Sequence, residues 1–208
     1  EKSRNLMTAR LAMAIGMETI QDYALRFGIH ENLPPYLSMS LGAGETTLVN
    51  LTAAYGQLVN GGKKISPSLV DRIQDRYGRT VMRHDDRTCS SCVVKEGWAN
   101  QPVPALEGGR EHLTDPASAY QMISMLEGVI SRGTGRRMKE SGLVLAGKTG
   151  TTNDNTNAWF IGFSPDLVAG VYVGYDVPRP LGKRETGSTA AVPIFHQFMK
   201  DALKNAPV

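Results

Sequence analysis

The segment SGLVLAGKTGTT, residues 141–152, contains residue types that suit two different binding sites. Gly142, Gly147, Lys148 and Thr149 match the phosphate-binding pattern G-x-x-x-x-G-K-[ST], in which backbone N–H groups and a following helix hold the phosphates. Three of the four intervening residues are large and apolar, and these favour a β-strand over a tight anion-binding loop. Turn-forming residues and then a strand pattern follow Thr149, so the segment does not indicate a nucleotide site.

As a strand, the same segment is suited to binding a peptide. The edge of a sheet offers unpaired backbone N–H and C=O groups with which an extended peptide can pair. Lys148 supplies a positive charge for the terminal carboxylate of such a peptide, and Thr149 and Thr151 supply hydroxyl donors. Gly150 allows the peptide backbone to approach closely. We therefore expect a site for a short peptide with a free carboxyl end.

A second polar group lies near the first residue of the chain, at residues 3–5, with the sequence Ser-Arg-Asn. Taken alone, Ser3 and Asn5 fit a helix cap, because an apolar helical pattern follows them. Taken with the K-T-G of residues 148–150, they match the S-x-N and K-T-G motifs of the active-site-serine enzymes that react with penicillin, in the same order. A cap and a catalytic role are compatible, because caps lie at exposed junctions between a loop and a helix.

The resemblance to one family extends beyond these two motifs. The chain resembles the transpeptidase domain of the class A, bifunctional penicillin-binding proteins of bacteria over nearly all of residues 1–208, apart from the loop around residues 84–110. The segments that carry the resemblance are SRNLMTARLA, GAGETTLVNLTAAYGQLVNGG, AYQMISMLEGVISRGTG, LAGKTGTTNDNTNAWFIGFSPDLVAGVYVGYD and ETGSTAAVPIF.

The resemblance implies a role in peptidoglycan synthesis. The implied reaction is acyl transfer from a stem peptide ending in D-Ala-D-Ala, through an acyl-enzyme, to an amine on a neighbouring strand. The implied partners are peptidoglycan stem peptides and the β-lactam antibiotics that imitate them, with no cofactor, no metal and no nucleic acid. The parent protein would also carry a glycosyltransferase domain, and an N-terminal anchor absent from this chain would hold it at the periplasmic face of the bacterial inner membrane.

The resemblance also implies roles for individual residues. Ser3 would shuttle a proton between the nucleophile and the leaving group, and Asn5 would hydrogen-bond the substrate amide. Lys148 would hold the catalytic proton network and attract the substrate carboxylate. The backbone N–H of Thr151 would supply half of the oxyanion hole, a donor typically worth roughly 3 kcal/mol. The implied substrate-binding positions are the four that follow the lysine, Thr149, Gly150, Thr151 and Thr152.

The family's nucleophile is absent from this chain. It lies in an S-x-x-K motif upstream of S-x-N, and no serine among the 208 residues is followed three positions later by lysine. Only two residues precede Ser3. We therefore expect this chain to be the C-terminal portion of a larger protein, truncated before the nucleophile segment, and to be inert alone.

Two other functions remain compatible with these motifs. A serine β-lactamase shares both of them but also needs a well-placed base to hydrolyse the acyl-enzyme, and the sequence does not place Glu45 or Glu111 in that role. A β-lactam-binding scaffold without catalysis would have no reason to keep Ser3, Asn5 and Lys148 together. An upstream S-x-x-K would favour the transpeptidase, and its absence would favour the scaffold.

Composition and cysteine spacing exclude several other classes. A hydrophobic fraction of 41% and a charged fraction of 21% are ordinary for a globular protein, and a net charge of +3 favours neither nucleic acid nor a membrane surface. Cys89 and Cys92 are followed by strand-like residues and not by the helix that a redox C-x-x-C requires. The four histidines lack zinc-ligand spacing, so we expect either a small local disulfide or two free thiols.

The elements that must position the two motifs follow from the apolar pattern. Helices are predicted over residues 5–27 with a break near Gly16, after Thr46 or Thr47, from Asp115-Pro116 to about residue 133, and over residues 191–204. The third of these is predicted to bury Tyr120, Ile123, Leu126 and Ile130.

Strands are predicted on both sides of residues 76–78 as a hairpin, and as a three-strand meander over residues 143–176. The predicted fold class is α+β, an antiparallel sheet flanked by helices, in a single transpeptidase domain of the penicillin-binding protein and serine β-lactamase type. Residues 84–110 are predicted to be a mobile insertion.

Overall fold

The structure, a computed structural model, describes residues 1–85, 87–89, 92, 106 and 109–204. The chain divides into two compact units, one formed by Glu1–Ile65 with His112–Val208 and the other by Ser66–Glu111. The regular elements of the first unit are, in chain order, α1 (Asn5–Ile15), α2 (Met17–Arg26), α3 (Leu48–Val59), α4 (Pro116–Ser131), β3 (Ala146–Thr151), β4 (Asn157–Phe163), β5 (Val168–Gly174) and α5 (Val192–Ala202). The hairpin strands of the second unit are β1 (Arg72–Gln74) and β2 (Thr80–Arg83).

The sheet of the first unit is the predicted antiparallel meander, in the order β3-β4-β5. Its register pairs Lys148 with Ile161 and Ile161 with Gly170. Because the connections between these strands are short, each strand returns beside the previous one. Strand β3, which contains the K-T-G segment, lies at one edge of this sheet.

Helices cover both faces of the sheet, which confirms the predicted fold class. Successive side chains of a strand point to opposite faces, so Leu145 and Ala146 belong to different cores. Ala146 packs with Phe163 and with residues of α3 and α4. On the other face, Leu145 packs in a cluster with Phe160 and with α5.

Local signals place the helix ends as predicted. Gly16, with φ at 85°, separates α1 from α2, in a conformation that side chains disfavour. Thr47 caps α3 by accepting a hydrogen bond from the backbone N–H of Asn50 at 3.1 Å. Asp115 caps α4 in the same way through Ser118, at 2.9 Å.

One prediction about α4 is wrong. Tyr120 is 72% exposed, while Ala119 beside it is 1% exposed. Both positions fit the helical spacing to Ile123, Leu126 and Ile130, so the period alone does not decide between them. Close packing places the smaller of the two side chains on the buried face.

The second unit contains the predicted hairpin. Strands β1 and β2 pair antiparallel, with Arg72 opposite Arg83. Asp75 closes the turn by accepting the backbone N–H groups of Tyr77 and Arg79. Cys89 and Cys92 form a disulfide, which decides between the two alternatives for these cysteines.

Most of the predicted insertion at residues 84–110 lies outside the described residues. Among the residues that the structure describes, no helix is both long enough and apolar enough to cross a membrane.

Candidate active site

The K-T-G segment is part of a β-strand and not of a phosphate loop. Strand β3 runs from Ala146 to Thr151 and pairs with β4 along its whole length. Only a three-residue 3-10 segment, Asn153–Asn155, separates it from β4, so no α-helix follows the lysine. The strand prediction is confirmed, and the K-T-G segment does not lead into the helix N-terminus that a nucleotide site needs.

The two motifs meet at Lys148 and Ser3, although 145 positions separate them in sequence. The Lys148 ammonium donates a hydrogen bond to Ser3 Oγ at 2.7 Å. It donates a second one to the carbonyl oxygen of Thr149 at 2.8 Å. Burial of the ammonium lowers the pKa of Lys148, because low-dielectric surroundings disfavour the charged form. The lysine therefore combines a fixed position with an easier loss of its proton.

Ser3 does not cap α1. The N-cap is Arg4, and its side chain makes no capping hydrogen bond. Ser3 itself has φ at 52°, a left-handed conformation that is uncommon for a serine. The helix-cap interpretation of this tripeptide is therefore wrong: the Ser3 hydroxyl faces the lysine. Asn5 is the first residue of α1 and has an exposed side chain.

The hydroxyl groups of β3 bind other parts of the first unit. Thr149 is 8% exposed, and its hydroxyl lies 2.7 Å from that of Thr134, just after α4. The hydroxyl of Thr151 accepts the backbone N–H of Gly187 at 3.0 Å. Thr152 closes the turn into β4, since its hydroxyl accepts the N–H of Asn157 at 2.8 Å.

Strand β4 and the segment around Gly187 both pack closely against Gly150. A Cβ atom at this position would lie 3.1 Å from Cβ of Trp159, its partner on β4. A Cβ atom at Gly187 would lie 2.6 Å from the carbonyl oxygens of both Gly150 and Trp159. The segment Gly187–Ala191, a single π-helical turn, therefore packs directly on the strand that carries the lysine.

Thr134, Gly187 and Ser188 also contact the site, although none of them was expected among the site residues. Ser188 Oγ donates to the carbonyl oxygen of Thr134 at 3.0 Å and joins the π-helical turn to the end of α4. Both segments belong to those that resemble the family, but their local pattern is only a polar residue between Gly133 and Gly135 after α4 and a polar run before α5. Neither signal distinguishes a site residue from an ordinary helix end.

The described part of the chain contains no group of three or more His, Cys, Asp or Glu side chains arranged to hold a metal ion. The candidate site itself offers a lysine, a serine, further hydroxyl groups and backbone N–H groups at the edge of the sheet. Such a set can bind a carboxylate, pair with an extended peptide and relay a proton.

Comparison with known proteins shows the family. The profile of the penicillin binding protein transpeptidase domain matches residues 1–200. The chain belongs to this family.

Within the family, the chain is similar to penicillin-binding protein 1A. It is 48% identical over 208 residues to that protein of Rickettsia bellii, and the match covers 100% of this chain and 26% of the relative. The crystal structure of penicillin-binding protein 1A from Haemophilus influenzae shares 28% sequence identity and superposes with a TM-score of 0.83, over 99% of this chain and 34% of that one.

A more distant structure shares the fold. It is the PonA1 protein of Mycobacterium tuberculosis in complex with penicillin V, with 22% identity and a TM-score of 0.74, over 96% of this chain and 54% of that one.

The chain spans about a quarter of the length of the curated relatives it matches, 26% in the case of the Rickettsia bellii protein.

Proposed function

We propose that this chain is the C-terminal portion of a single transpeptidase domain, residues 1–208, in a protein that cross-links peptidoglycan by acyl transfer from D-Ala-D-Ala stem peptides. The observation that carries the proposal is the 2.7 Å hydrogen bond from Lys148 to Ser3, at the edge of the sheet. It brings together the S-x-N and K-T-G motifs in a chain of the transpeptidase family.

The geometry supports a proton relay. Because Lys148 donates to Ser3 Oγ, the serine oxygen is already an acceptor and its own O–H remains available to another group. In the proposed reaction that proton passes to the leaving nitrogen when the acyl-enzyme forms, and Ser3 takes up, directly or through Lys148, the proton that the nucleophile gives up. The lowered pKa of Lys148 suits such a relay, since a catalytic acid or base works best when its pKa lies near the operating pH.

The substrate is proposed to lie along β3. Its extended backbone would pair with the free edge of the strand, and its terminal carboxylate would face the Lys148 ammonium. The hydroxyls of Thr149 and Thr151, which contact Thr134 and Gly187 in this structure, would complete the carboxylate pocket only by exchanging those bonds. The N–H of Thr151 would supply half of the oxyanion hole. Asn5 would bind the substrate amide from its exposed position at the start of α1.

The nucleophile is proposed to come from an S-x-x-K segment elsewhere in the full-length protein, because no serine in this chain has a lysine three positions later. The proposed partners are stem peptides and β-lactams, together with that segment. The same full-length protein is proposed to be a glycosyltransferase as well and to be anchored at the periplasmic face of the inner membrane.

A fluorescent penicillin tests this function. We expect the full-length protein to form a covalent, slowly released adduct, and the 208-residue chain to form none. Rapid release of hydrolysed penicillin would indicate a β-lactamase instead. A covalent adduct on the short chain would contradict the assignment of the nucleophile to another segment.

The role of Lys148 is tested in the same assay. Lys148→Ala in the full-length protein should slow acylation by roughly a hundredfold or more, the scale of a lost acid–base group. Lys139→Ala, which removes an exposed lysine from the turn after α4, is the matched control and should acylate normally. Equal rates for both variants would remove Lys148 from the site.

A further inference from the structure

Thr134 joins three segments of the candidate site with its three polar groups. Its hydroxyl lies 2.7 Å from the hydroxyl of Thr149 on β3. Its carbonyl oxygen accepts a hydrogen bond from Ser188 Oγ at 3.0 Å. Its backbone N–H donates to the carbonyl oxygen of Glu1 at 3.3 Å. No other residue in the described part of the chain has hydrogen bonds to all three segments.

The contact with Glu1 matters because Glu1 leads directly into Ser3. The guanidinium of Arg132 also binds the Glu1 carboxylate, with Nε 2.9 Å from Oε2, and it lowers the pKa of that carboxyl group. Gly133 allows the approach, since a Cβ atom there would lie 2.5 Å from the carbonyl oxygen of Glu1. Residues 132–134 therefore fix the position of Glu1, two residues before Ser3.

The contact with Thr149 matters because Thr149 is the neighbour of Lys148. The carbonyl oxygen of Thr149 accepts the second hydrogen bond of the Lys148 ammonium, at 2.8 Å. A shift of Thr149 would therefore move both the strand and one acceptor of the lysine. Ser3 and Lys148 are thus held from the same short segment, although they lie far apart in sequence.

We propose that Thr134 is a positioning residue of the candidate active site, which sets the Ser3–Lys148 hydrogen bond by tying the Ser3 segment, β3 and the π-helical turn to one point. The inference rests on the proposed acyl-transfer function. Thr134 does not itself touch the reacting atoms. It acts through Thr149 and Glu1, which position Lys148 and Ser3. Small displacements of such groups have large effects on the reaction rate.

The test compares variants of the full-length protein by their rates of acylation with a fluorescent penicillin. Thr134→Val keeps the shape of the side chain and removes the hydroxyl, and it should lower the rate about tenfold or more. Thr134→Ser keeps the hydroxyl and should restore most of the rate. Thr46→Val is the matched control and should acylate normally. The Thr46 hydroxyl donates to the carbonyl oxygen of Ile29 and takes part in none of the hydrogen bonds of Thr134.

A double-mutant cycle separates alignment from general destabilisation. If the two hydroxyls act as a pair, Thr149→Val should cost much less in the Thr134→Val background than in the wild type. Simple addition of the two effects would contradict the proposal. So would a wild-type rate in Thr134→Val, or equal slowing in Thr134→Ser.

Failure of this inference is distinguishable from failure of the proposed function. A wild-type full-length protein that forms no adduct would contradict the function, whereas normal labelling with an unaffected Thr134→Val would contradict only the role of Thr134. If Thr134→Val does not fold, Ser188→Ala removes the bond to the Thr134 carbonyl instead. We expect it to slow acylation several-fold, and an unchanged rate would overturn the proposal.

Discussion

Lys148 holds a charged amine in a half-buried position, where its two hydrogen bonds oppose the cost of burial. Burial has the larger effect on its titration and lowers its pKa. The folded protein therefore releases this proton at a lower pH than the unfolded chain, in which a lysine titrates near its ordinary value of about 10.4. The same property that suits a proton relay thus makes stability depend on pH.

The sign of this dependence can be tested with Lys148→Met. Between the lowered pKa and about pH 10.4, the unfolded state still binds the proton and the folded state does not, so the stability of the wild type rises with pH. The variant lacks this contribution. We expect the free energy of unfolding of the wild type, relative to Lys148→Met, to increase from pH 7 to pH 10 in equilibrium urea unfolding. A constant or decreasing difference would show that burial does not dominate at this site.

At the scale of elements, the site depends on how closely the π-helical turn packs on β3. The backbone of Gly187 lies against the carbonyl oxygens of Gly150 and Trp159, and its N–H binds the hydroxyl of Thr151. Thr186 and Thr189 hold the turn in place by a reciprocal capping arrangement. The strand edge that carries the lysine is therefore supported by backbone contact, which tolerates no added side chain.

Gly187→Ala should disturb this contact. Its Cβ would lie 2.6 Å from two backbone oxygens, which cannot move as a flexible side chain could. We expect a lower unfolding midpoint and at least a tenfold slower acylation of the full-length protein, on the order of the cost of a misplaced site. Gly109→Ala is the matched control, because no residue that the structure describes lies within 4 Å of an added Cβ there. Equal unfolding midpoints and equal acylation rates for the two variants would mean that the π-helical turn moves to accommodate the added methyl group.

At the scale of the whole molecule, the first unit is held together by the packing of helices on both faces of one sheet. Phe160 of β4 and Phe195 of α5 are each 0% exposed, and their ring centroids lie 4.7 Å apart at an angle of 60°. Met138, from the turn after α4, and Leu145, before β3, belong to the same cluster. This cluster therefore links α5 to the segment that leads into the lysine strand.

Phe195→Ala should destabilise the fold by about 3–5 kcal/mol, the usual cost of emptying a buried phenylalanine site. This is a large part of the stability of a typical domain. Phe198→Ala on the same helix is the control, because Phe198 is 51% exposed and fills no enclosed space. Equilibrium denaturation of the two variants checks the prediction, and equal losses of stability would indicate that α5 does not pack as described.

The sequence by itself determined those features that depend on neighbouring residues. The apolar run before Lys148 predicted a strand, because large apolar side chains suit a sheet better than a phosphate loop. Thr46 or Thr47, and Asp115, predicted helix starts, and Thr47 and Asp115 are the caps, since a cap binds an N–H group only three residues away. The order of S-x-N and K-T-G, together with the resemblance of the surrounding segments, indicated the transpeptidase family, and the family profile over residues 1–200 confirms that family.

Only the tertiary structure decided which of these elements meet. The helical period of α4 was compatible with a buried Tyr120, but close packing selected Ala119 because a small side chain was needed there. Thr134 looked like an ordinary residue at a helix end until folding placed its hydroxyl against Thr149. The bond between Ser3 and Lys148 spans 145 positions. The motif resemblance placed Ser3 and Lys148 in one site, but no local pattern gives the contact itself, because it depends on how whole elements pack and on the space that each side chain leaves.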